Sequence, residues 1–271
     1  MNILVLGSNG MLGRYVHAYL KSTGLIVAGV NRGVFNAANS TGDGLDVLIN
    51  RAPSIFINCI GIIKQRADVP DVEFIKVNSV FPLELSNACE RIGHKLIHIT
   101  TDCVFDGLGG YYNEKSEHNA KDIYGVTKSL GEPENATVVR TSIIGEEIGQ
   151  ARSLVEWVKS NKDKEVSGYT NHFWNGITCL EFARVCEKII SQRLFWKGVK
   201  HITSPTGVSK FELVKMISDI YALNLEIIPH ETDVKCDRTM SSMRTDVDIK
   251  VPELKNQIIE MKNFYQKLTE V

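Results

Sequence analysis

The sequence predicts an α/β chain, a doubly wound parallel sheet with a smaller C-terminal substrate-binding lobe. Three observations predict it. Six strand-length apolar runs recur along 271 residues, segments of helical periodicity separate them, and a glycine-rich turn follows the first run. Strand and helix in alternation imply βαβ units, because parallel neighbours need a crossover between them.

The elements follow in order. "NILVL" (2–6) is the first strand, and "MLGRYVHAYLKS" (11–22) is a helix stopped by Gly24. "LIVAGV" (25–30) and "IFINCI" (55–60) are the second and third strands. "NSVFPLELSNACERIG" (78–93) is a helix with Val80, Leu83 and Ala88 on one stripe and Gly93 at its end. "KLIHIT" (95–100), "TVVRTSI" (137–143) and "VKHITS" (199–204) complete the strands. Their nearly continuous hydrophobicity is that of strands covered on both faces. "TCLEFARVCEKIISQ" (178–192) opens with Thr178 and Glu181 at capping-box spacing. "SKFELVKMISDIYAL" (209–223) is helical in a less regular second half. The expected division is 1–145 plus 178–204 for a dinucleotide-binding core, and 146–177 plus 205–271 for the lobe. There is no internal repeat, low-complexity tract or linker.

Composition narrows the function. A net charge of −1 argues against a general nucleic-acid or membrane-surface binder. No apolar run approaches the ~20 residues of a bilayer span, and no signal peptide is visible. The cysteines at 59, 89, 103, 179, 186 and 236 form no CxxC pair and no zinc-finger spacing. Reduced, mostly buried cysteines in a cytoplasmic protein are the expectation, with no metal site.

"GSNGMLG" (7–13) carries the first functional reading. A phosphate reaches the N–H groups at a helix N-terminus only where no Cβ intervenes. Gly7 permits the tight turn, Gly10 the approach of a pyrophosphate, and Gly13 close packing of helix on sheet. Ser8, Asn9, Met11 and Leu12 belong to the same turn. GxxGxxG after a strand and before an amphipathic helix points to a Rossmann dinucleotide site. The second strand ends in Asn31 and Arg32, where an NAD site would carry a carboxylate. Arg32 is suited to a 2′-phosphate, which favours NADP(H), with NAD(H) as the alternative. The other reading of Arg32 is a solvated loop cation.

"IYGVTKSLGE" (123–132) places Tyr124 and Lys128 on one helix face. A phenol has a pKa near 10, and a neighbouring ammonium draws it down toward working range. Tyr111–Lys115 repeats the spacing but follows "GLGG" in turn-rich sequence, where helical geometry is not expected. Thr100 and Thr101 stand at the carboxyl end of a strand, where open α/β sheets bind ligands.

With these residues in place, the chain resembles the extended short-chain dehydrogenase/reductases, and within them the dTDP-4-dehydrorhamnose reductase family. The matching stretches are "GSNGMLG", "NCIG" (58–61), "KVNSVFPLELSNAC" (76–89), "TTDCVFDG" (100–107), "YGVTKSLGE" (124–132) and "VVRTSIIG" (138–145). Beyond 145 only "WNGITCLEFARV" (174–185) and "CDRTMSSMRTD" (236–246) look familial. The resemblance implies that Tyr124 is the proton donor, Lys128 its partner and a ribose contact, and Thr101 the hydroxyl that orients a substrate carbonyl. It implies that Cys59, Ile60 and Gly61 pass beneath the cofactor. It assigns Cys103, Val104, Phe105, Asn175 and Arg238 to a nucleotide-linked sugar, Arg238 at the diphosphate. Trp174 is either a site residue or lobe core. A homodimer is compatible with it.

The reaction so implied is hydride transfer to the C4 ketone of a nucleotide-linked 4-keto-6-deoxy sugar. Two alternatives stay open. Cys103 stands where related epimerase–reductases, similar to GDP-fucose synthase, carry a base, so a combined 3,5-epimerisation and 4-reduction is one. It needs an acid on the opposite sugar face, for which Lys159 or His172 are the candidates. The other is a non-catalytic nucleotide-binding regulatory subunit.

Overall fold

Side-chain alternation along the first strand sets the layering. In β1 (Asn2–Leu6), Ile3 and Val5 join one apolar cluster while Leu4 and Leu6 join another. Both faces of the strand are therefore covered, as period-2 geometry requires of a central parallel strand. The computed structural model describes residues 2–39, 43–50, 54–66, 68–148 and 152–269.

After β1 come α1 (Met11–Ser22), β2 (Ile26–Val30), α2 (Asp43–Ile49) and β3 (Ile55–Asn58). α3 (Asp71–Phe74), a π-helical segment (Ile75–Val80) and α4 (Phe81–Ile92) run on without a break. Next are β4 (Lys95–Thr101), α5 (Ile123–Leu130), β5 (Thr137–Thr141), β6 (Ile143–Ile144), α6 (Leu154–Ser160), β7 (Glu165–Tyr169), β8 (His172–Trp174) and β9 (Ile177–Thr178). The chain continues through α7 (Cys179–Ser191), β10 (Gly198–His201), β11 (Val208–Ser209), α8 (Lys210–Tyr221), β12 (Glu226–His230), β13 (Cys236–Asp237) and α9 (Leu254–Thr269).

The six expected strands form one sheet in the order β10-β5-β4-β3-β1-β2, and every pairing in it is parallel. The order reverses at β1, between β2 and β3, which opens a crevice above the carboxyl ends of β1 and β3. β8 pairs with β11 and β13, and β7 pairs with β12, in two small sheets built from the second half. α9 returns to the main body: Phe264 stacks on Tyr15 of α1, with ring centroids 6.1 Å apart.

Three local expectations are corrected. Ile26 of β2 is exposed, because β2 is an edge strand and has a neighbour on one side only. In α4 the buried stripe is Phe81, Leu85, Ala88 and Cys89, while Val80 and Leu83 face outward. The spacing i, i+4, i+7, i+8 is the helical one, and it buries the larger Phe81 in place of Val80. At α7 only half of the capping box forms. Thr178 accepts from the Glu181 N–H, but its own N–H donates to Gln257 Oε1 of α9. The reciprocal box is instead at α8, between Ser209 and Glu212.

Arg140 on β5 is 1% exposed. A buried guanidinium must have partners, and this one has them on four elements. It forms a two-point pair with Glu132, just past α5, with Nε donating at 2.9 Å. Nη1 donates to His201 Nε2 of β10 at 2.9 Å, and Nη2 to His118 Nε2 at 2.7 Å. The guanidinium lies 5.3 Å from the centroid of the Phe105 ring, which stacks on Tyr112 at 4.2 Å. His201 Nδ1 meets the Ser241 carbonyl at 2.8 Å, and Glu114 accepts from the His201 N–H and the Met243 N–H. Both imidazoles accept from a guanidinium, so both are neutral. Burial, then the Arg140 charge, lowers both pKa values, that of His201 to about 4.

The sign of the pH dependence follows. The stability held by neutral His201 is full above its ordinary value of 6.5 and is lost as pH falls through about 4. The loss is about 3 kcal/mol. Urea midpoints should fall across that window, and His201→Gln should flatten the fall. An unchanged slope in the variant would assign the acid sensitivity to other groups.

Candidate active site

The crevice is a cavity of about 780 Å³. Its floor is the glycine turn. Gly7 has φ +79°, the left-handed region a side chain disfavours, and its N–H donates to the Val30 carbonyl. A Cβ on Gly13 would sit 2.2 Å from the Gly7 oxygen, so α1 abuts the turn directly. Gly10 is the N-cap of α1 and supplies no side-chain cap. The first N–H groups of the helix are thus left for an anion, in a cradle that added Cβ atoms would fill. Gly7, Asn9, Gly10, Met11 and Leu12 line the cavity. Ser8 does not: its side chain packs against β2, where a Cβ on Gly29 would approach it to 2.7 Å. The residues present fit the pyrophosphate of a dinucleotide.

At one end lie Asn31 and Arg32. Asn31 Oδ1 accepts from the N–H groups of Gly33 and Val34, at 2.9 and 3.3 Å, which fixes the turn after β2. Arg32 is exposed and loosely paired with Glu73 at 3.9 Å. Glu73 also lines the cavity. It is a carboxylate 43 positions past the end of β2 that sequence spacing gave no reason to place here. Cys59, Ile60 and Gly61 line the middle, directly after β3. Asn58 holds that turn by accepting from the Ile60 N–H at 3.0 Å and meeting His98 Nδ1 at 3.1 Å.

At the other end β4 runs into a 3₁₀ turn, Asp102–Val104. Thr101 caps the turn: Oγ1 accepts from the Cys103 N–H at 3.2 Å and donates to Asp102 Oδ1 at 3.1 Å. α5 begins at this turn. Asp122 caps it by accepting from the Gly125 N–H at 3.0 Å. A Cβ on Gly125 would sit 2.3 Å from the Cys103 oxygen, so the glycine of "YGVTK" lets the helix touch the turn. That contact brings Tyr124 beside Thr101 and Cys103. Thr101, Cys103, Tyr124 and Lys128 all line the cavity. Tyr111 lies outside it, 78% exposed at φ +52° in a turn.

The expected lowering of the Tyr124 pKa by Lys128 is not what the structure gives: burial raises it, and the nearby Cys103 adds to the rise, while a hydrogen bond to Thr101 opposes it. Burial lowers Lys128 to about 8, against the carboxylate of Glu132. Its Nζ donates to the Ile99 carbonyl at 2.9 Å. Burial, then the Asp102 charge, pushes the Cys103 thiol up to about 12, against the pull of Arg238.

Other expected site residues have other work. Val104 and Phe105 are fully buried in a small cluster with Tyr112 and Met240 and do not line the cavity. They support the turn from behind. Asn175 is spent on the Met240 backbone, donating to its carbonyl at 2.7 Å and accepting from its N–H at 3.0 Å. Arg238 donates Nε to the Phe105 carbonyl at 3.0 Å and Nη2 to the Asp106 carbonyl at 3.2 Å, leaving Nη1. Lys159 pairs with Glu156 and Glu146, at 2.9 and 3.3 Å, and His172 Nε2 meets Thr232 Oγ1 at 2.9 Å. Neither lines the cavity. Trp174 does, and so does Lys210, which the sequence reading passed over. Its only signal was the Ser209–Glu212 box that starts α8.

Among the described residues no cluster of three or more His, Cys, Asp or Glu side chains is placed to hold a metal ion. No described helix is long and apolar enough to cross a membrane.

The comparisons agree with the geometry. A dTDP-4-dehydrorhamnose reductase of Streptomyces griseus is 31% identical over 148 residues, 51% of this chain and 48% of that protein. The match thus spans about half the length of that relative. The methionine adenosyltransferase 2 subunit beta of Xenopus tropicalis is 26% identical over 247 residues, 81% of this chain and 72% of that protein. In structure, a dTDP-4-dehydrorhamnose reductase of Clostridium acetobutylicum superposes with a TM-score of 0.81 at 24% identity, covering 98% of this chain and all of the other. The Bacillus anthracis dTDP-4-dehydrorhamnose reductase in complex with NADP gives the same TM-score at 19% identity, covering 97% of this chain and 99% of the other. A family profile described as the RmlD substrate binding domain matches residues 1–268, and the chain belongs to that family.

Proposed function

We propose that this protein is an NADP(H)-dependent reductase of a nucleotide-linked 4-keto-6-deoxy sugar. One observation carries the reading: Thr101, Tyr124 and Lys128 line the same cavity as the glycine cradle. When bound, the nicotinamide supplies hydride to the C4 carbonyl. Tyr124, kept protonated by burial, gives its proton to the oxygen as it becomes an alkoxide. The Thr101 hydroxyl swings from Asp102 to donate to the same oxygen. Lys128 is anchored on the Ile99 carbonyl, with two further N–H groups for the cofactor ribose. Its charge then eases the phenolate that Tyr124 leaves behind.

Two further readings have support of their own. Likeness to the methionine adenosyltransferase 2 beta subunits covers more of the chain than likeness to the Streptomyces reductase, which favours a regulatory nucleotide-binding role. The cavity-facing Thr–Tyr–Lys set weighs against it. Cys103 faces the cavity, which favours epimerisation before reduction. Its raised pKa weighs against it, because a thiol near 12 is a poor base at neutral pH.

The central test follows NADPH absorbance with dTDP-, UDP-, GDP- and CDP-linked 4-keto-6-deoxy sugars. Tyr124→Phe should nearly abolish turnover with folding intact. Thr101→Val should cost roughly 10²-fold in kcat, the scale for losing one donor at a developing oxyanion. Lys128→Met should lower kcat and weaken NADPH binding together. No oxidation of NADPH with any of the four sugars would turn the reading toward the regulatory one.

For the cofactor, the expected outcome is a higher kcat/KM with NADPH than with NADH. Arg32→Ala should erase most of the preference, and Glu73→Gln should widen it by freeing Arg32 from its pair. A protein that prefers NADH does not use Arg32 in this way.

For Cys103, the reaction is run in D₂O and the product read by NMR. Reduction alone leaves no deuterium at C3 or C5. Deuterium there that disappears in Cys103→Ser would establish the epimerase reading instead.

A further inference from the structure

A lysine that holds a ribose and eases a phenolate must be charged, and Lys128 is 5% exposed. A buried ammonium sheds its proton unless an opposite charge offsets the lost water. Among the described residues its Nζ has one hydrogen-bond acceptor, the Ile99 carbonyl at 2.9 Å. A neutral carbonyl offsets only part of that cost.

The ionisable groups that face Lys128 come from three elements besides its own turn of α5. Cys59, after β3, is held as the thiol, pushed up to about 12 by burial. His98 of β4 is fully buried, and its Nδ1 accepts from Asn58 at 3.1 Å. Burial, then the Lys128 charge, keeps that imidazole neutral. Tyr124, one turn earlier, keeps its proton through burial. The remaining group is Glu132, just past the end of α5, and it is the carboxylate whose charge acts on Lys128.

The place of that carboxylate is built from two sides. α5 ends at Leu130 with Gly131 as its C-cap. A Cβ on Gly131 would run into the Asn78 carbonyl, so the turn carrying Glu132 is pressed against the π-helical segment. Arg140 grips both carboxylate oxygens from the sheet. Arg140 stands opposite Thr100 in the β4–β5 ladder, and Ile99, the anchor of Lys128, stands one rung away opposite Val139. The ammonium and the carboxylate are therefore tied to adjacent rungs of one ladder. Glu132 does not line the cavity, so it reaches the reaction only through Lys128.

We propose that Glu132 is a positioning residue for the reduction: fixed by Arg140, its negative charge keeps buried Lys128 in the ammonium form that the cofactor ribose and the Tyr124 phenolate require. This rests on the reading of Tyr124 and Lys128 as a reductase pair. Burial alone would take Lys128 below the value of about 8 at which Glu132 holds it. Without the carboxylate, the ammonium fraction at neutral pH falls.

The experiment titrates Lys128 in the full chain by NMR of lysine labelled with ¹³C at Cε, its resonance assigned by loss in Lys128→Met. The expected midpoint is about 8 in the unmodified protein. Glu132→Gln should lower it by about one pH unit or more, a roughly tenfold weaker hold on the proton. Glu132→Asp should recover most of the fall, and the alkaline limb of kcat should move with the midpoint. His118→Gln removes another partner of Arg140 without removing the carboxylate, and should leave the midpoint in place. If Glu132→Gln does not fold, Glu132→Gln combined with Arg140→Met removes the buried pair together, which proteins often tolerate, and the same fall is expected. A midpoint unmoved by loss of the carboxylate overturns the proposal and leaves the reductase reading in place. An equal fall in His118→Gln assigns the effect to loosened packing and overturns it as well. A midpoint that falls only on loss of the carboxylate, in a protein that reduces none of the four sugars, upholds the coupling and overturns the reductase reading.

Discussion

A guanidinium without water is the constraint on which the active end of this molecule depends. Arg140 is fixed in the sheet by β5, so its partners must come to it. Glu132 brings the end of α5, His118 the loop that precedes α5, His201 the neighbouring strand, and Phe105 the segment after the Asp102–Val104 turn. Of those elements, α5 carries Tyr124 and Lys128, and the Asp102–Val104 turn follows Thr101. The His201–Ser241 and Glu114–Met243 bonds extend the same network to the segment that follows Arg238. Thr101 and Tyr124 belong to different elements, β4 and α5, and neither element alone fixes their separation. The Arg140 network ties the end of α5 to the segment after the Asp102–Val104 turn, and a Cβ at Gly125 would meet the Cys103 carbonyl, so the two elements lie in direct contact.

The sheet supplies the other half of the arrangement. Because its order reverses at β1, the turns after β1 and β3 diverge and leave room for a dinucleotide between them. Gly7 follows β1, Cys59 to Gly61 follow β3, and Thr101 ends β4, three adjacent strands in the sheet. A cofactor laid from the α1 N-terminus across β3 therefore ends beside Thr101. The geometry runs from the glycine cradle to Thr101 and Tyr124 along a single edge.

What was legible in the sequence divides along the same line. The six strands, the turn at Gly7 and the Tyr124–Lys128 helix are local patterns, and each was readable from spacing alone. The buried face of α4 was not, because Val80, Phe81 and Leu83 are all apolar and only packing chooses among them. Asn175 and Phe105 were expected at the substrate for a related reason. Both lie in familial stretches near the site, yet their atoms are consumed by backbone bonds or by burial. Lys210 was invisible because it enters the cavity from a helix far along the chain, and no spacing links residue 210 to residue 103. The Arg140 network was equally hidden, since its members lie between positions 105 and 243.

The electrostatics of the cavity distinguish the direction of proton transfer. A site built to remove protons from a sugar carbon needs a base whose charged form is stabilised. Here the groups nearest the catalytic turn are shifted the other way: Tyr124 and Cys103 are both held in their protonated forms by burial and by negative neighbours. Lys128 and Lys210 also line the cavity, and burial lowers the pKa of both. Such a site keeps Tyr124 and Cys103 protonated at neutral pH. An alkoxide forming at a carbonyl oxygen takes up a proton from a group that still holds one. An enolate formed by a thiolate asks first for a base that this cavity keeps neutral. The arrangement therefore supports the proposed reduction over the epimerase reading.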